Sequence, residues 1–378
     1  IAYSGWGIQV ALLLGLLALF LWLGNNMLTN LGGQNASLGF GFLKERSGFS
    51  INFSLIAFSE SDSYARLLVA ALLNTILVAV ISIFFATILG LFIGILRLSS
   101  NWLVRNIAGA YIEFFRNVPL LLQILFWYIG VLRNLPLPRQ SISIFDSIFV
   151  HKRGISLPAL IFEGNAAFWW AGAIITSVLV GIGLWIWSKN RQNKTGKVFA
   201  FWRVTIFVSL AIITLCYFAG GHQFKLDIPH LQGFNFKGGM RCTPELVAIV
   251  FSLSMYTAAF IAEIMRAGIL SVKKGQSEAA SSLGLTRRQS LRLIILPQAL
   301  RVIIPPLASQ YLNLTKNSSL GAAIAFPDLV GAFAGTALNQ TGKAVEIIFI
   351  TMMIYLGLSL TVSLIMNFYN RRINRTRQ

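Results

Sequence analysis

Runs of Leu, Ile, Val, Phe and Ala long enough to cross a bilayer recur from one end of the chain to the other. They leave no way to assemble a water-facing globular surface. About twenty apolar residues at ~1.5 Å per residue cross the hydrocarbon core. On that ruler the spans fall at residues 6–24, 67–96, 108–132, 166–187, 198–219, 244–269, 298–320 and 344–367. The expectation is an all-α polytopic membrane protein with about eight helices. Composition agrees, since only 11% of residues are charged where soluble domains carry roughly 25%. No small-residue cleavage pattern follows the first apolar run, so it reads as a retained helix.

The formal net charge is +19. The basic residues are scattered between apolar runs and form no long block, which points to lipid and topology, with no nucleic acid partner. Arg97 and Arg105, Lys189, Arg191, Lys194 and Lys197, then Lys273, Lys274, Arg287, Arg288 and Arg292, and finally Arg371, Arg372, Arg375 and Arg377 all fall on one side of the expected spans. That side should be the cytoplasm, with both termini there. The opposite segments, 25–65, 133–165 and 220–243, are rich in Gly, Asn and Ser and long enough to form an outer docking surface. Their residual basic charge, from Lys152, Arg153, Lys225, Lys237 and Arg241, suits an acidic surface on something outside the membrane. Cys216 and Cys242 form no metal or disulfide pattern, and His151, His222 and His230 read as solvated loop residues.

The stretch 275–298, GQSEAASSLGLTRRQSLRLIILPQ, is neither a span nor an ordinary loop. Ala279, Ala280 and Leu283 form an apolar stripe, Glu278 sits near the helix start, and Gly284 stops the helix as a left-handed cap. Thr286 and Gln289 stand three apart as a capping box that opens a second short helix. Periodicity alone leaves open whether this pair lies on lipid or seats in a partner.

Its spacing resembles the signature of ABC importer permeases: Glu278-Ala279-Ala280, three residues, Gly284, nine residues, Ile294, one residue, Leu296-Pro297. In that family the segment is the coupling helix that fits a cleft on a cytoplasmic ATPase. The resemblance therefore assigns Glu278, Ala279, Ala280, Leu283, Gly284, Arg287 and Arg288 to ATPase coupling. Flanking text, Glu263-Ile264-Met265-Arg266-Ala267-Gly268 and Tyr111-Ile112-Glu113-Phe114-Phe115-Arg116-Asn117-Val118-Pro119, is similar to the polar amino acid branch. Leu135-Pro136-Leu137-Pro138-Arg139 and the extra apolar pair resemble general L-amino acid importer permeases in particular. The resemblance implies a type I ABC importer transmembrane fold in a bacterial inner membrane. It divides into an N-terminal helix with an outer segment (1–66), a first part of the permease core (67–165), an inserted helix pair (166–219), and a second part (220–378) holding the coupling loop 275–297. The implied partners are a second homologous permease, two ATPase subunits, a periplasmic amino-acid-binding protein and an L-amino acid substrate. ATP and Mg would belong to the ATPase. The nearest phosphate-loop match in this chain, Gly342-Lys343, lacks the glycine five residues upstream, where Ala337 stands, and is followed by Ala344. No catalytic residue and no cofactor or metal site is expected here.

Ionisable residues at membrane depth face a cavity, a partner or one another. Glu113 with Arg116 and Glu263 with Arg266 are spaced to pair on a helix face. The seventh span is too polar for lipid: after a kink at Pro305-Pro306 it carries Ser309, Gln310, Asn313, Thr315, Lys316, Asn317, Ser318 and Ser319. A zwitterionic substrate needs a cation or N–H donors for its carboxylate and acceptors for its ammonium. Lys316 can supply the first, with Asn313, Asn317, Ser318 and Ser319 as neutral partners and Asn74 as a further polar interruption on the pathway; interhelical packing is the alternative for each. Two rivals remain: a scaffold permease whose partner holds the substrate, and an ion-coupled secondary transporter. The second is opposed by the lack of acidic residues at span centres.

Overall fold

A computed structural model describes residues 2–33, 39–162, 166–196, 199–219 and 224–374. The chain forms two compact units, one of Ile1–Gly130 with Ala248–Gln378, the other of Val131–Val247. The second unit thus takes in more than the expected helix pair at 166–219, because the segments flanking that pair fold with it.

The first unit begins with α1 (Ala2–Gly33), whose apolar surface is exposed along the described side chains. Next comes α2 (Tyr64–Arg97), opened by Ser63, whose hydroxyl accepts from the Arg66 N–H at 3.4 Å. After α3 (Trp102–Asn117) and α4 (Leu120–Leu125) the chain passes through a π-helical turn, Phe126–Val131. Residues 102–117 and 120–134 meet at 103°, so the third expected span is a bent pair and not one straight helix. Pro119 is the reason: it offers no N–H and drives Val118 out of the helical region, to φ −88° and ψ 126°. Gln123 reinforces the corner, its amide donating to the carbonyls of Phe115 (3.1 Å) and Val118 (2.9 Å).

The second unit starts with eight short strands split by two helices. In chain order these are β1 (Ile142–Ile144), β2 (Ile148–His151), β3 (Gly154–Leu157), β4 (Ala159–Phe162), α5 (Ala166–Thr195), α6 (Phe201–Ala219), β5 (Phe224–Asp227), β6 (His230–Gln232), β7 (Asn235–Lys237) and β8 (Met240–Cys242). Strands β1-β2-β3-β8 form an antiparallel sheet, while β4 pairs with β5 and β6 with β7. The all-α expectation thus holds for the membrane-crossing part and omits these strands. His151 also differs from its reading as a solvated loop residue. It is buried in the sheet, its ring 5.3 Å from that of Phe236 and its Nε2 3.3 Å from the Ser156 hydroxyl. Burial and the nearby Arg241 and Arg153 push its pKa down. His222 lies outside the described residues.

From α7 (Pro244–Leu270) the chain continues into α8 (Lys274–Ser282), α9 (Arg287–Ser290), a π-helical turn (Leu291–Ile295) and α10 (Leu296–Asn317). It returns through a 3-10 turn (Ser318–Ile324), a π-helical stretch (Leu329–Ala337) and α11 (Leu338–Thr341) to α12 (Ala344–Asn374). Pro305 and Pro306 lie inside α10, which runs on past them. The break expected there comes later, where the 3-10 turn Ser318–Ile324 that follows α10 ends at Ala325 in a left-handed conformation, φ 58°.

Helices α2 and α7 approach closely in the core. A Cβ on Gly90 would stand 2.6 Å from the Ile261 Cβ, and one on Gly94 would stand 2.9 Å from the Met265 Cβ. Small residues let the backbones approach where lipid offers no hydrophobic drive for helix association. Around this crossing Ala79, Ala86, Ile261, Met265, Ala299, Ile303 and Leu314 form one buried cluster. A second cluster packs Phe42, from the segment ahead of α2, on Tyr64, Leu329, Phe333 and Ile347.

Among the described residues, six helices are long and apolar enough to cross a membrane: those within Gln9–Asn26, Tyr64–Arg97, Phe168–Thr195, Pro244–Leu270, Arg287–Ile324 and Ala344–Asn370. The bent pair makes a seventh if it counts as one span, and Phe201–Cys216 is a shorter apolar helix at the place of the remaining expected span.

Candidate functional site

The connection between α7 and α10 is a small, self-capped protrusion. Helix α8 ends in a Schellman arrangement: the Leu285 N–H donates to the Ala280 carbonyl (3.1 Å) and the Gly284 N–H to the Ser281 carbonyl (3.0 Å). Gly284 takes φ +74°, which a side chain would resist. The capping box then forms at Thr286. Its N–H donates to Gln289 Oε1 at 2.9 Å, and its hydroxyl accepts from the Gln289 N–H at 3.4 Å. Gln298 on α10 reaches back to Gln276 on α8 at 3.3 Å.

The two termini are therefore fixed by local bonds, and the outward side chains are free for another surface. Glu278, Ala279, Leu283, Gly284, Arg287 and Arg288 are exposed, with Leu283 at 78%. Ala280 is fully buried, facing this chain and not outward, so the stripe read from Ala279, Ala280 and Leu283 is not a single face. Glu278 lies in the middle of α8 because the helix begins at Lys274 and not just before the acid.

On α10, Ser309, Asn313 and Lys316 recur at i, i+4 and i+7 and are all exposed, a polar stripe along an apolar span. Asn317 and Ser319 are half-buried beside it, and the Ser319 hydroxyl donates to the Lys316 carbonyl at 2.8 Å. Ser318 is turned inward, donating to the Thr315 carbonyl at 2.8 Å. Asn74 is also fully buried, its amide donating to the carbonyls of Phe53 (3.0 Å) and Pro327 (2.9 Å). Asn74 and Ser318 are thus buried in hydrogen bonds within the chain, whereas Asn313 and Lys316 are exposed.

Asn74 and its neighbour Thr75 pin a buried turn that sequence reasoning missed. The Leu329 N–H donates to the Thr75 hydroxyl at 3.0 Å. Asp328, fully buried between the spans that end at Ile324 and begin at Ala344, accepts from the Gly331 N–H at 2.7 Å and caps the following π-helical stretch. Burial pushes its carboxyl up to about 7, against the hydrogen bonds from backbone N–H groups that favour the anion. Asp328 followed by an apolar run is an N-cap signal that was present in the sequence. Beside it a cavity of about 660 Å³ is lined by residues that include Ser50, Asn52, Gly331, Thr336 and Asn339.

Of the expected ion pairs, Glu263 and Arg266 form a bidentate contact, the shortest distance being 2.6 Å. Glu113 and Arg116 make no ion pair among the described residues: Arg116 lies over the Phe260 ring, 5.2 Å from its centroid. An aromatic face attracts a guanidinium through its ring quadrupole.

Apolar spans arranged around closely packed glycine crossings, with a polar stripe on one span and a capped knob between two others, define a polytopic membrane protein. Residues 86–375 match the family described as the binding-protein-dependent transport system inner membrane component, and the chain belongs to that family. It is similar over 97% of its length to the putative amino-acid ABC transporter permease protein YhdX of Escherichia coli, at 49% identity and covering 93% of that protein. The general L-amino acid transport system permease protein AapQ of Rhizobium johnstonii is 46% identical over 97% of this chain and 91% of its own length. The glutamate/glutamine/aspartate/asparagine transport system permease protein BztB of Rhodobacter capsulatus is 41% identical over 97% and 92%.

Proposed function

We propose that this chain is the permease subunit of an ATP-driven importer of amino acids, fed by a soluble binding protein and paired with a second permease and two ATPase subunits. The observation that carries the reading is similarity over 97% of the chain to three amino-acid permeases. Those permeases are named for amino acids, for L-amino acids in general, and for glutamate, glutamine, aspartate and asparagine, so the substrate class here is the zwitterionic L-amino acid. The chain does no chemistry on its substrate; hydrolysis of ATP belongs to the partner.

The knob from α8 to α9 seats in the ATPase on the cytoplasmic side. Its shape supports this, since capped ends transmit force without unwinding and Leu283 offers an exposed apolar contact. Motion of the ATPase passes through the Leu291–Ile295 turn into α10 as rigid-body displacement. The stripe of Ser309, Asn313 and Lys316 faces the path between the two permeases, because a polar row of this length is not tolerated against lipid. Lys316 meets the substrate carboxylate, and Asn313, Asn317 and Ser319 offer neutral hydrogen-bonding groups.

Reconstitution of the chain with its ATPase, second permease and binding protein tests the reading. Uptake of L-amino acids should require hydrolysable ATP and the binding protein; uptake driven by an ion gradient alone overturns it. Lys316→Ala should lower the uptake rate by 10-fold or more while ATPase assembly is kept. A wild-type rate and apparent affinity would remove Lys316 from the path and favour a scaffold role for this subunit.

A further inference from the structure

The four-stranded sheet has two unlike faces. The register aligns Ile142, Val150, Ile155 and Cys242 in one row across β1, β2, β3 and β8. Side chains alternate along a strand, so Ile144, Ile148, Leu157 and Met240 share that face. All eight residues are apolar. The other face carries Ser143, Phe149, His151, Ser156 and Arg241, and it is covered from within the unit: Phe236 of β7 stacks on Phe149 at 4.5 Å and on His151.

The apolar face has no such cover among its outer members. Ile142 and Met240 are 50% and 52% exposed, close to the 58% of Ile174 on the membrane-crossing helix α5, and Ile144 is exposed as well. A contiguous apolar face of this kind marks a surface for lipid or protein.

Chain continuity favours lipid. Cys242, the last residue of the apolar row, is two residues from Pro244, where a membrane-crossing helix begins, so the row starts within about 7 Å of that span. At the opposite end, the adjacent strand β3 runs on through Pro158 into β4, which leads to the span starting at Phe168. The sheet is thus tied at both ends to helices entering the bilayer. Its rim adds Lys152 and Arg153 in the turn between β2 and β3 against Asp146 in the turn between β1 and β2, while β1, β2, β3 and β8 themselves contain Arg241 and no acidic residue. Basic residues beside an apolar face suit anionic headgroups. At the tip of the β1–β2 hairpin Phe145, with φ 54°, stands 91% exposed, a bulky aromatic with little protein around it.

We infer that the β1-β2-β3-β8 sheet is an interfacial membrane element, its face of Ile142, Ile144, Ile148, Val150, Ile155, Leu157, Met240 and Cys242 resting in the headgroup and upper acyl region of the bilayer. A soluble or membrane protein covering the same face is the competing occupant. Spin labels placed singly at Ile142→Cys, Ser143→Cys, Ile144→Cys and Met240→Cys, in a Cys216→Ala, Cys242→Ala background, separate the two in the full complex in phosphatidylcholine–phosphatidylglycerol nanodiscs. Relaxation by oxygen should exceed relaxation by a water-soluble nickel chelate at 142, 144 and 240, and the order should reverse at 143. A bimane label at position 240 should be quenched several-fold more by brominated lipid than one at 143, which keeps the test open if one labelled protein folds poorly. High nickel accessibility at all four positions, or low accessibility to both reagents at 142, 144 and 240, overturns the inference, the first indicating water and the second a protein cover.

Discussion

Asp328 shows how one buried residue can set a pH response. Its carboxyl is held at about 7 in the fold against an ordinary 3.8, so the folded state keeps a proton that the unfolded chain releases. Between those two values the folded state binds more protons, and stability falls as pH rises; above about 7 the full cost of a buried carboxylate is present. Asp328→Asn keeps an oxygen able to accept from the Gly331 N–H and removes the titration. Thermal unfolding in detergent from pH 5 to pH 8 should show a falling midpoint for the parent and a flatter profile for the variant. The difference near pH 8 should be on the order of a few kcal/mol. Equal slopes for the two proteins would show that Asp328 does not control the response. The cap itself was legible as Asp before an apolar run, yet its burial was not. Depth depends on Thr75 and Asn74, more than 250 positions away in sequence, closing over the turn.

At the scale of elements, two tests address how helices are joined. Gly90→Leu places side-chain atoms where Ile261 Cβ already stands 2.6 Å from an added Cβ, so α2 and α7 must separate. The expected loss is about 1–3 kcal/mol, read as a lower unfolding midpoint; an unchanged midpoint would mean the crossing is looser than described. Gly284→Val forces a β-branched residue to φ +74° between α8 and α9. If the knob seats in an ATPase, this variant and Glu278→Arg should reduce co-purification of that subunit, and retained co-purification with normal uptake would refute the assignment. The helix–turn–helix of this connection was readable because its caps are local, Gly284 and the Thr286–Gln289 pair. The 103° corner at Pro119 could be suspected from proline, but the Gln123 amide that holds it is a contact only the folded chain displays. The strands were overlooked although Ile142-Ser143-Ile144 and Gly154-Ile155-Ser156-Leu157 alternate, since runs this short carry little periodic signal.

For the molecule as a whole, the basic excess becomes a statement about sides. Gln192 lies at the far end of α5 from the sheet-bearing end, and Asn235 lies on β7. Cysteines placed at the two positions should react with a membrane-impermeant thiol reagent from opposite sides of intact vesicles, with 192 on the cytoplasmic face. Labelling from the same side would break the assignment of topology. Apolar run length and the charged connections determined from sequence alone that the chain crosses a membrane many times and carries a capped knob between two spans. Those properties are sums over neighbouring residues, and water and lipid impose them before any long-range contact forms. Which polar residues turn outward was decided by tertiary structure. Lys316 and Ser318 are two apart on the same segment, but one is exposed and the other buried, because helix rotation against its neighbours, and not composition, fixes the face each residue presents.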